Sequence, residues 1–344
     1  MAIKLLIGGS PCTYWSVAQK NNRETTAEGL GWELFKNYLI AKEKFNPDFF
    51  LYENNKSAAQ AIKDQIKREF NVWDGTLLMR DSGARYIEIN SALVSAQNRQ
   101  RFYVHNCGDV GQPEDRGILL KHILEKRLNA INVGEVETIQ KAIPKLVKKY
   151  GYIPTMFNAY NTSFIDVKSP TLSRGSMVTS SCATTIFERT DKPVYEVKDG
   201  LITIKGKQYP IKLPDGYYII RKLTVTECER LQTLPDGYTQ HAGVSETQCY
   251  KGIGNGWTAE VIIHILSNAL KNVPKDERII VLSMYDGIGT GRYCLDKMRF
   301  TNVEYHAYEI DKYAMKIALS NYPDIIQHGD AFQARDELWH ITNN

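Results

Sequence analysis

Residues 279–291 read IIVLSMYDGIGTG. An unbroken apolar run of this length has the pattern of a strand buried on both faces, as in a parallel sheet. It runs directly into Asp286-Gly287-Ile288-Gly289-Thr290-Gly291. Glycines there permit a tight turn and let a ligand approach the backbone at the carboxyl edge of the sheet. A second strand, VEYHAYEID at 303–311, follows and carries Glu309 and Ile310 near its end. An acid about 20 residues beyond such a turn can hold both ribose hydroxyls of a nucleoside. A third loop offers Gly329-Asp330-Ala331, with Asp330 placed to bond an adenine amino group. The glycine run contains no basic residue and the chain has no G-x-x-x-x-G-K-[ST], so a phosphate chain is not the expected ligand. An adenosine without phosphates fits, and S-adenosylmethionine is the candidate cofactor.

The same strand-and-turn pattern opens the chain. Ile3, Leu5, Leu6 and Ile7 form a short apolar run that ends in Gly8-Gly9. Residues 28–45 read as a helix, PDFFLYEN (47–54) as a second strand, and Ser57 as the cap of a further helix bearing Ala58, Ala61, Ile62 and Ile66. YIEINSALVSAQNRQRFYV (86–104) gives a strand, a polar stretch and a strand. This alternation predicts an α/β fold, a Rossmann-like doubly wound sheet with right-handed crossovers. From about residue 106 the style changes. Residues 118–149 read as helical, 161–185 as Ser/Thr-rich loops, and VYEVKDGLITIKG as a hairpin turning at Asp199-Gly200. These features predict a smaller α+β module. Thr226 and Glu229 have capping-box spacing, and YKGIGNGWTAEVIIHILSNALKN (250–272) reads as a loop entering a long apolar helix. The expected division is a first catalytic half at 1–105, an inserted region at 106–222 and a cofactor half at 223–344.

The chain has 344 residues, 43% hydrophobic and 24% charged, as in a soluble globular protein. No apolar run approaches the ~20 residues of a membrane span, and the N-terminus lacks a signal-peptide pattern. The six scattered cysteines show no C-x-x-C and read as reduced thiols, with no metal site, in a cytoplasmic protein. Net charge is +4, yet residues 106–222 alone hold 18 Lys and Arg against 12 Asp and Glu. A basic segment on a near-neutral body fits either a polyanion partner or a solvated basic surface.

Two constellations carry chemistry. Ser10-Pro11-Cys12 lies just beyond the first strand, where a cysteine is exposed in the crevice of such a sheet and can act as a nucleophile. Glu53 ends the next strand, on the same edge. Gln97-Asn98-Arg99-Gln100-Arg101 then sets Arg99 and Arg101 on one side of an extended segment, as guanidinium forks for a phosphate or a base carbonyl.

Together these residues resemble the DNA cytosine-5 methyltransferases. GGSPCTYWS is similar to that family's Pro-Cys motif, LYENN to its Glu-Asn motif and QNRQRFY to its Gln-x-Arg-x-Arg-x-Tyr motif. LTVTECERLQTLPDGY and YKGIGNGWTAEV resemble its two late motifs, and DGIGTG, YEIDKYAMKIALSNYP and GD its three cofactor motifs. DGIGTG with IGGSPC is most similar to the animal de novo methyltransferases and their phage relatives. The likeness spans nearly the whole chain except about 106–222. Motif order departs from most of the family. The cofactor motifs come last, so the sequence resembles a circular permutation, which a cut at an exposed loop permits.

The resemblance implies methyl transfer to C5 of a cytosine flipped out of double-stranded DNA. Cys12 would add to C6, Glu53 and Asn54 would hold the base with Ser10 and Pro11, and Arg101 and Arg99 would contact the base carbonyl or a phosphate. Tyr285, which stands where the family usually has Phe, would cover the cofactor together with Asp286, Gly287, Gly289, Thr290 and Gly291. Glu309 and Ile310 would take its ribose side, Asp330 and Ala331 its adenine, and Asn255 its methionine end. Residues 13–31 would close over the base. Region 106–222 would recognise the target, with Arg174 in a base-reading loop at 169–185. A monomer in a bacterial or phage-infected cell is the expectation, with a cognate restriction endonuclease as a candidate partner that the sequence leaves open. An RNA cytosine-5 methyltransferase and a catalytically silent DNA-binding relative are the rival readings.

Overall fold

The computed structural model describes residues 2–17, 21–72, 82–125, 131–172 and 184–336. The chain begins with β1 (Ile3–Gly8), β2 (Phe49–Asn55), β3 (Arg85–Asn90) and β4 (Gln100–His105). It continues with β5 (Met156–Asn158), β6 (Ser163–Phe164), β7 (Thr185–Thr190), β8 (Tyr195–Lys198), β9 (Leu201–Ile204), β10 (Lys207–Pro210) and β11 (Gly216–Lys222). It closes with β12 (Ile279–Met284), β13 (Val303–Tyr308) and β14 (Ile326–Gly329). Two compact units divide these strands: Met1–Ser91, Gln100–Glu114 and Gly256–Asn344 form one, and Ala92–Arg99 with Asp115–Asn255 the other.

The first unit is built on a seven-stranded sheet in the order β14-β13-β12-β1-β2-β4-β3. The five strands from β14 to β2 run parallel, whereas β4 is antiparallel to both β2 and β3. β12 is buried at every position, as expected of a central parallel strand that is apolar except for Ser283. Helix Gly29–Phe45 buries Trp32, Phe35, Tyr38 and Phe45 in one cluster with Phe50, Tyr52 and Phe102 from β2 and β4. Truncating one of these large aromatics to alanine would cost about 3–5 kcal/mol. Helix Gln60–Glu69 buries Ile62 and Ile66 as its spacing predicts. Its N-cap is Ala59, with no side-chain cap, and not Ser57, whose hydroxyl instead accepts from the Val17 N–H at 3.3 Å.

Register aligns the ends of the parallel strands. Gly8 is level with Met284 and Tyr52, Met284 with Tyr308, and Tyr308 with Gly329. The residues one step beyond are Gly9, Tyr285, Glu53, Glu309 and Asp330, so one carboxyl edge gathers both ends of the sequence.

The second unit is α+β. Its sheet runs β10-β9-β8-β11-β7-β5-β6 and pairs antiparallel throughout. The β8–β9 hairpin turns at Asp199 (φ 51°) and Gly200 (φ 74°), as the Asp-Gly pair predicts. Helix Glu137–Tyr150 buries Ile139, Ala142, Ile143 and Leu146 in a cluster with Phe157, Val197, Ile202 and Ile220. The single helix expected over 118–149 is instead Leu120–Ile123 and Glu137–Tyr150. Val133 N–H donates to the Ile220 carbonyl at 2.7 Å, and Asn132 Oδ1 accepts from Ile220 N–H at 3.1 Å, so residues 132 and 133 are held against β11.

A further cluster joins Ala96, Leu120, Ile123, Leu172 and Ile186 to Leu231, Cys249 and Ile253. Helices Val225–Leu231 and Glu246–Asn255 therefore complete this second core, and the unit extends past the expected limit at 222 to Asn255. The capping box is Thr224 with Glu227, two residues earlier than expected. Among the described residues no helix is long and apolar enough to cross a membrane.

Candidate active site

β1 delivers Gly9, Ser10, Pro11 and Cys12 to the carboxyl edge, and a short 3-10 turn, Cys12–Tyr14, follows at once. The loop is knotted from below. Ser10 Oγ lies 2.8 Å from Tyr52 Oη, and Asn54 Nδ2 donates to Ser10 O at 2.9 Å and to Tyr52 Oη at 3.1 Å. Burial pushes the Tyr52 phenol well above its ordinary pKa, so it keeps its proton and acts as a fixed hydrogen-bonding post. Ser10 and Asn54 are buried in this knot and orient the turn, while Pro11 is exposed above it. Cys12 is a free, half-buried thiol. Its carbonyl accepts from Trp15 N–H at 3.1 Å and Ser16 N–H at 3.0 Å. Trp15 is fully buried, and its indole donates to Glu24 Oε2 at 3.0 Å while Glu24 Oε1 accepts from Gly31 N–H at 3.0 Å. The stretch expected to close over a base is thus anchored near its far end.

In the β2–β4 ladder Glu53 stands opposite Tyr103 and Arg101 opposite Asn55, and Arg101 Nε reaches diagonally to Glu53 Oε1 at 2.8 Å. The sequence also hid a partner. Trp257 Nε1 donates to Glu53 Oε2 at 3.1 Å. Nothing in G-N-G-W signals that contact, because 204 residues separate the two.

Arg99 does not share this environment. The expected common face fails because the backbone from Ala92 to Arg99 belongs to the second unit, and only Gln100 onward rejoins the first sheet. Arg99 is buried, and its guanidinium donates to the carbonyls of Leu172 at 2.8 Å and Gly254 at 3.3 Å. Gln97 is likewise used internally, accepting from Leu172 N–H at 2.9 Å.

The glycine turn after β12 is oriented by its own neighbours. Tyr285 adopts φ 63°, a costly conformation for a non-glycine residue, and its hydroxyl donates to Leu34 O at 2.7 Å. Asp286 is buried. Its Oδ1 accepts from Tyr305 Oη at 2.6 Å and Ser283 Oγ at 2.7 Å. Burial raises its pKa to about 6, against the pull of those two donors. Its Oδ2, like Thr290 Oγ1, is buried without a hydrogen-bond partner. Gly289 caps helix Thr290–Lys297, and Gly291 lies in its first turn.

Glu309 spans the next gap. Its Oε2 accepts from Gly287 N–H at 2.8 Å, and its Oε1 accepts from Ile310 N–H at 2.9 Å and Asp311 N–H at 2.8 Å. At Gly287 (φ 66°) a Cβ would meet nothing within 4 Å, so open space stands over the turn. Ile310 is 73% exposed beside it. Asp330 is exposed and caps the 3-10 helix Ala331–Arg335 by accepting from Phe332 N–H at 3.0 Å; Ala331 is buried. An oriented carboxylate, an uncovered turn, unpaired buried oxygens and no basic side chain in the turn suit an adenosine with a sulfonium tail. Asn255 lies in the second unit, exposed at the end of helix Glu246–Asn255. Arg174 and most of the 169–185 loop lie outside the described residues.

Comparison with known proteins points to one family. Residues 1–271 match the family profile described as C-5 cytosine-specific DNA methylase. The chain is 25% identical over 306 residues to the type II methyltransferase M.FnuDI of Fusobacterium nucleatum, covering 80% of this chain and 78% of that protein. It is 23% identical over 331 residues to the type II methyltransferase M.Bpa9945I of Bacillus paralicheniformis, covering 79% and 71%. It is 27% identical over 118 residues to the DNA (cytosine-5)-methyltransferase DRM2 of Arabidopsis thaliana, covering 34% and 18%. A crystal structure of a Spodoptera frugiperda DNMT2 mutant superposes with a TM-score of 0.44 at 15% identity, covering 77% of this chain and 79% of that one.

Proposed function

Because the chain belongs to the C-5 cytosine-specific DNA methylase family, whose cofactor is S-adenosylmethionine, we propose that it methylates C5 of a cytosine in duplex DNA through a covalent bond from Cys12. The observation that carries this reading is the shared sheet edge. Cys12 stands beyond β1, the Glu53–Arg101 pair lies at the ends of β2 and β4 on the same edge, and the glycine turn and Glu309 stand beyond the neighbouring β12 and β13.

C5 of cytosine is a weak nucleophile, and the chain's residues answer that problem. The Cys12 thiolate forms a bond to C6, and the electron pair of the C5–C6 double bond moves toward C5 and the ring nitrogen. Glu53, carrying a proton, donates it to N3, where negative charge collects, and accepts from the exocyclic amine. Arg101 keeps that carboxyl group in place and offers its remaining N–H groups to the base carbonyl. S-adenosylmethionine, when bound, supplies an electrophilic methyl group. Tyr285, Asp286, Gly287, Thr290, Glu309, Ile310 and Asp330 would hold it. Once C5 carries the methyl group, loss of its proton to solvent water lets the C6–S bond break and returns the thiolate. A cytosine stacked in a duplex hides C6, so the base must leave the helix, at a cost of a few kcal/mol. The second unit, with its basic central region, is assigned to target recognition. The order of motifs is assigned to circular permutation.

The test is trapping. With S-adenosylmethionine and random-sequence duplexes containing 5-fluorocytosine, a covalent adduct at Cys12 is expected, and its flanking sequence identifies the target. Cys12→Ala should retain cofactor binding and lose transfer. Adducts with fluorinated tRNA alone would move the substrate to RNA. Absence of adducts with either nucleic acid would leave a silent binder.

A further inference from the structure

Three groups surround the Glu53 carboxylate. Arg101 Nε holds Oε1 at 2.8 Å, and Trp257 Nε1 holds Oε2 at 3.1 Å. On another side, a Cβ at Gly9 would stand 2.5 Å from the Glu53 carbonyl and 3.0 Å from Oε2, so only a glycine backbone passes there. The Glu53 side chain is left 12% exposed. The last torsion of a glutamate is broad, so a single partner on one oxygen leaves the carboxylate plane able to rotate. A second donor on the other oxygen removes that freedom.

Trp257 is itself braced. Ser91 Oγ, at the end of β3, donates to the hydroxyl of the adjacent Thr258 at 2.8 Å. The Ala259 carbonyl accepts from Cys294 Sγ at 3.6 Å, and Glu260 pairs with Lys297. Cys294 and Lys297 belong to the helix that follows the glycine turn. The indole therefore projects from a segment tied to both β3 and that helix. An indole N–H is a donor only, and it neither titrates nor carries charge. It can fix a carboxylate without competing for its proton.

We infer that Trp257 is a positioning residue, whose N–H sets the plane in which Glu53 meets N3 and the exocyclic amine of the target cytosine. This rests on the reaction proposed above. Those two base atoms lie in the ring plane, so a carboxyl group rotated out of it loses one of its two hydrogen bonds.

Trp257→Phe keeps an aromatic ring and removes the donor. In single-turnover transfer to unmethylated random-sequence duplexes, the rate should fall about tenfold. KM for S-adenosylmethionine should stay within about twofold, since the donor faces Glu53. In a Glu53→Gln background the same change should cost under about twofold, because the residue it acts through is gone. Independently, the ¹⁵N indole signal of Trp257 should move on Glu53→Gln. That readout leaves Trp257 intact and stands even where the Phe variant unfolds. An unmoved indole signal, or losses that multiply across the double variant, would overturn the inference. An active wild type with an equally fast Trp257→Phe overturns it alone. A wild type that transfers no methyl group overturns the reaction and this role with it.

Discussion

Asp286 keeps its carboxyl group where water does not reach, with one oxygen bonded to Tyr305 and Ser283 and the other unpaired. Its folded pKa is about 6, against 3.8 as the ordinary value. Below about pH 4 both folded and unfolded states hold the proton. As pH rises from there to about 6, the unfolded chain ionises first, so this group's contribution to stability is lost, and above about 6 the penalty is constant. Asp286→Asn removes the titration. In cofactor-free protein, the stability of this variant relative to wild type should therefore rise between pH 4 and 7 by on the order of 3 kcal/mol. Urea unfolding of both proteins at each pH isolates the effect, since every other carboxylate is common to the two. A pH-independent difference would mean that Asp286 does not carry a buried charge. At this scale the sequence was legible as placement, since a local strand-then-turn signature put Cys12 just beyond β1 and the Asp286–Gly291 turn just beyond β12, while Glu53, read as ending its strand, is followed by two more residues of β2. It was silent on Trp257, whose hydrogen-bond partner is a carboxylate 204 residues away. It misread Arg99, because period-two spacing puts alternate residues on one face only while the chain stays in one strand, and here the chain changes unit between Arg99 and Gln100.

The helix Val225–Leu231 shows what a local pattern can and cannot decide. T-V-T-E-C-E offers two capping boxes, Thr224 with Glu227 and Thr226 with Glu229, and spacing alone does not choose between them. Arg221 chooses. Its two terminal nitrogens reach Glu227 at 2.8 and 2.9 Å, and both side chains are buried, with Glu188 as a further partner of the guanidinium. Glu227 also accepts from Thr224 N–H at 2.9 Å and Glu125 N–H at 2.8 Å. One carboxylate thus joins β11, the helix start and the chain near 125. Removing a buried ion's partner costs more than removing a cap. Glu227→Ala should destabilise by about 3–5 kcal/mol, because Arg221 and two backbone donors lose their acceptor. Thr224→Ala should cost about 1 kcal/mol. Urea midpoints at constant slope would rank the two, and equal losses would show that the cap, not the ion pair, dominates. The Asp199-Gly200 turn was legible for the opposite reason, since its positive φ angles are a property of those two residues and need no distant partner.

Strand pairing, not chain order, defines the catalytic sheet. β1 pairs with β12 over six residues on one side and with β2 on the other, although β12 begins 276 positions after β1. The alternating pattern made strands and helices legible at both ends of the sequence. It could not fix which strand lies beside which, because a strand's own pattern shows how far it is buried and not which neighbour it pairs with. Motif order supplied that ordering only through resemblance. If the sheet is indifferent to where the chain is cut, a different cut should leave it intact. The turn after helix Ala259–Leu270 is the place to make one, since Pro274, Lys275 and Asp276 are exposed and β12 begins only at Ile279. A chain starting at Lys275, with Asn344 joined to Met1 through a flexible Gly/Ser linker, would carry the glycine turn ahead of Cys12. Every pair in the sheet would remain, and only the loop-closure entropy would change, by about 0.6 kcal/mol for each doubling of loop length. Such a protein should unfold within a few degrees of the parent, bind S-adenosylmethionine with similar affinity and form the same 5-fluorocytosine adduct. Loss of the fold would mean that β1 must precede β12 for the sheet to assemble, so that the motif order is a requirement of folding and not a neutral rearrangement.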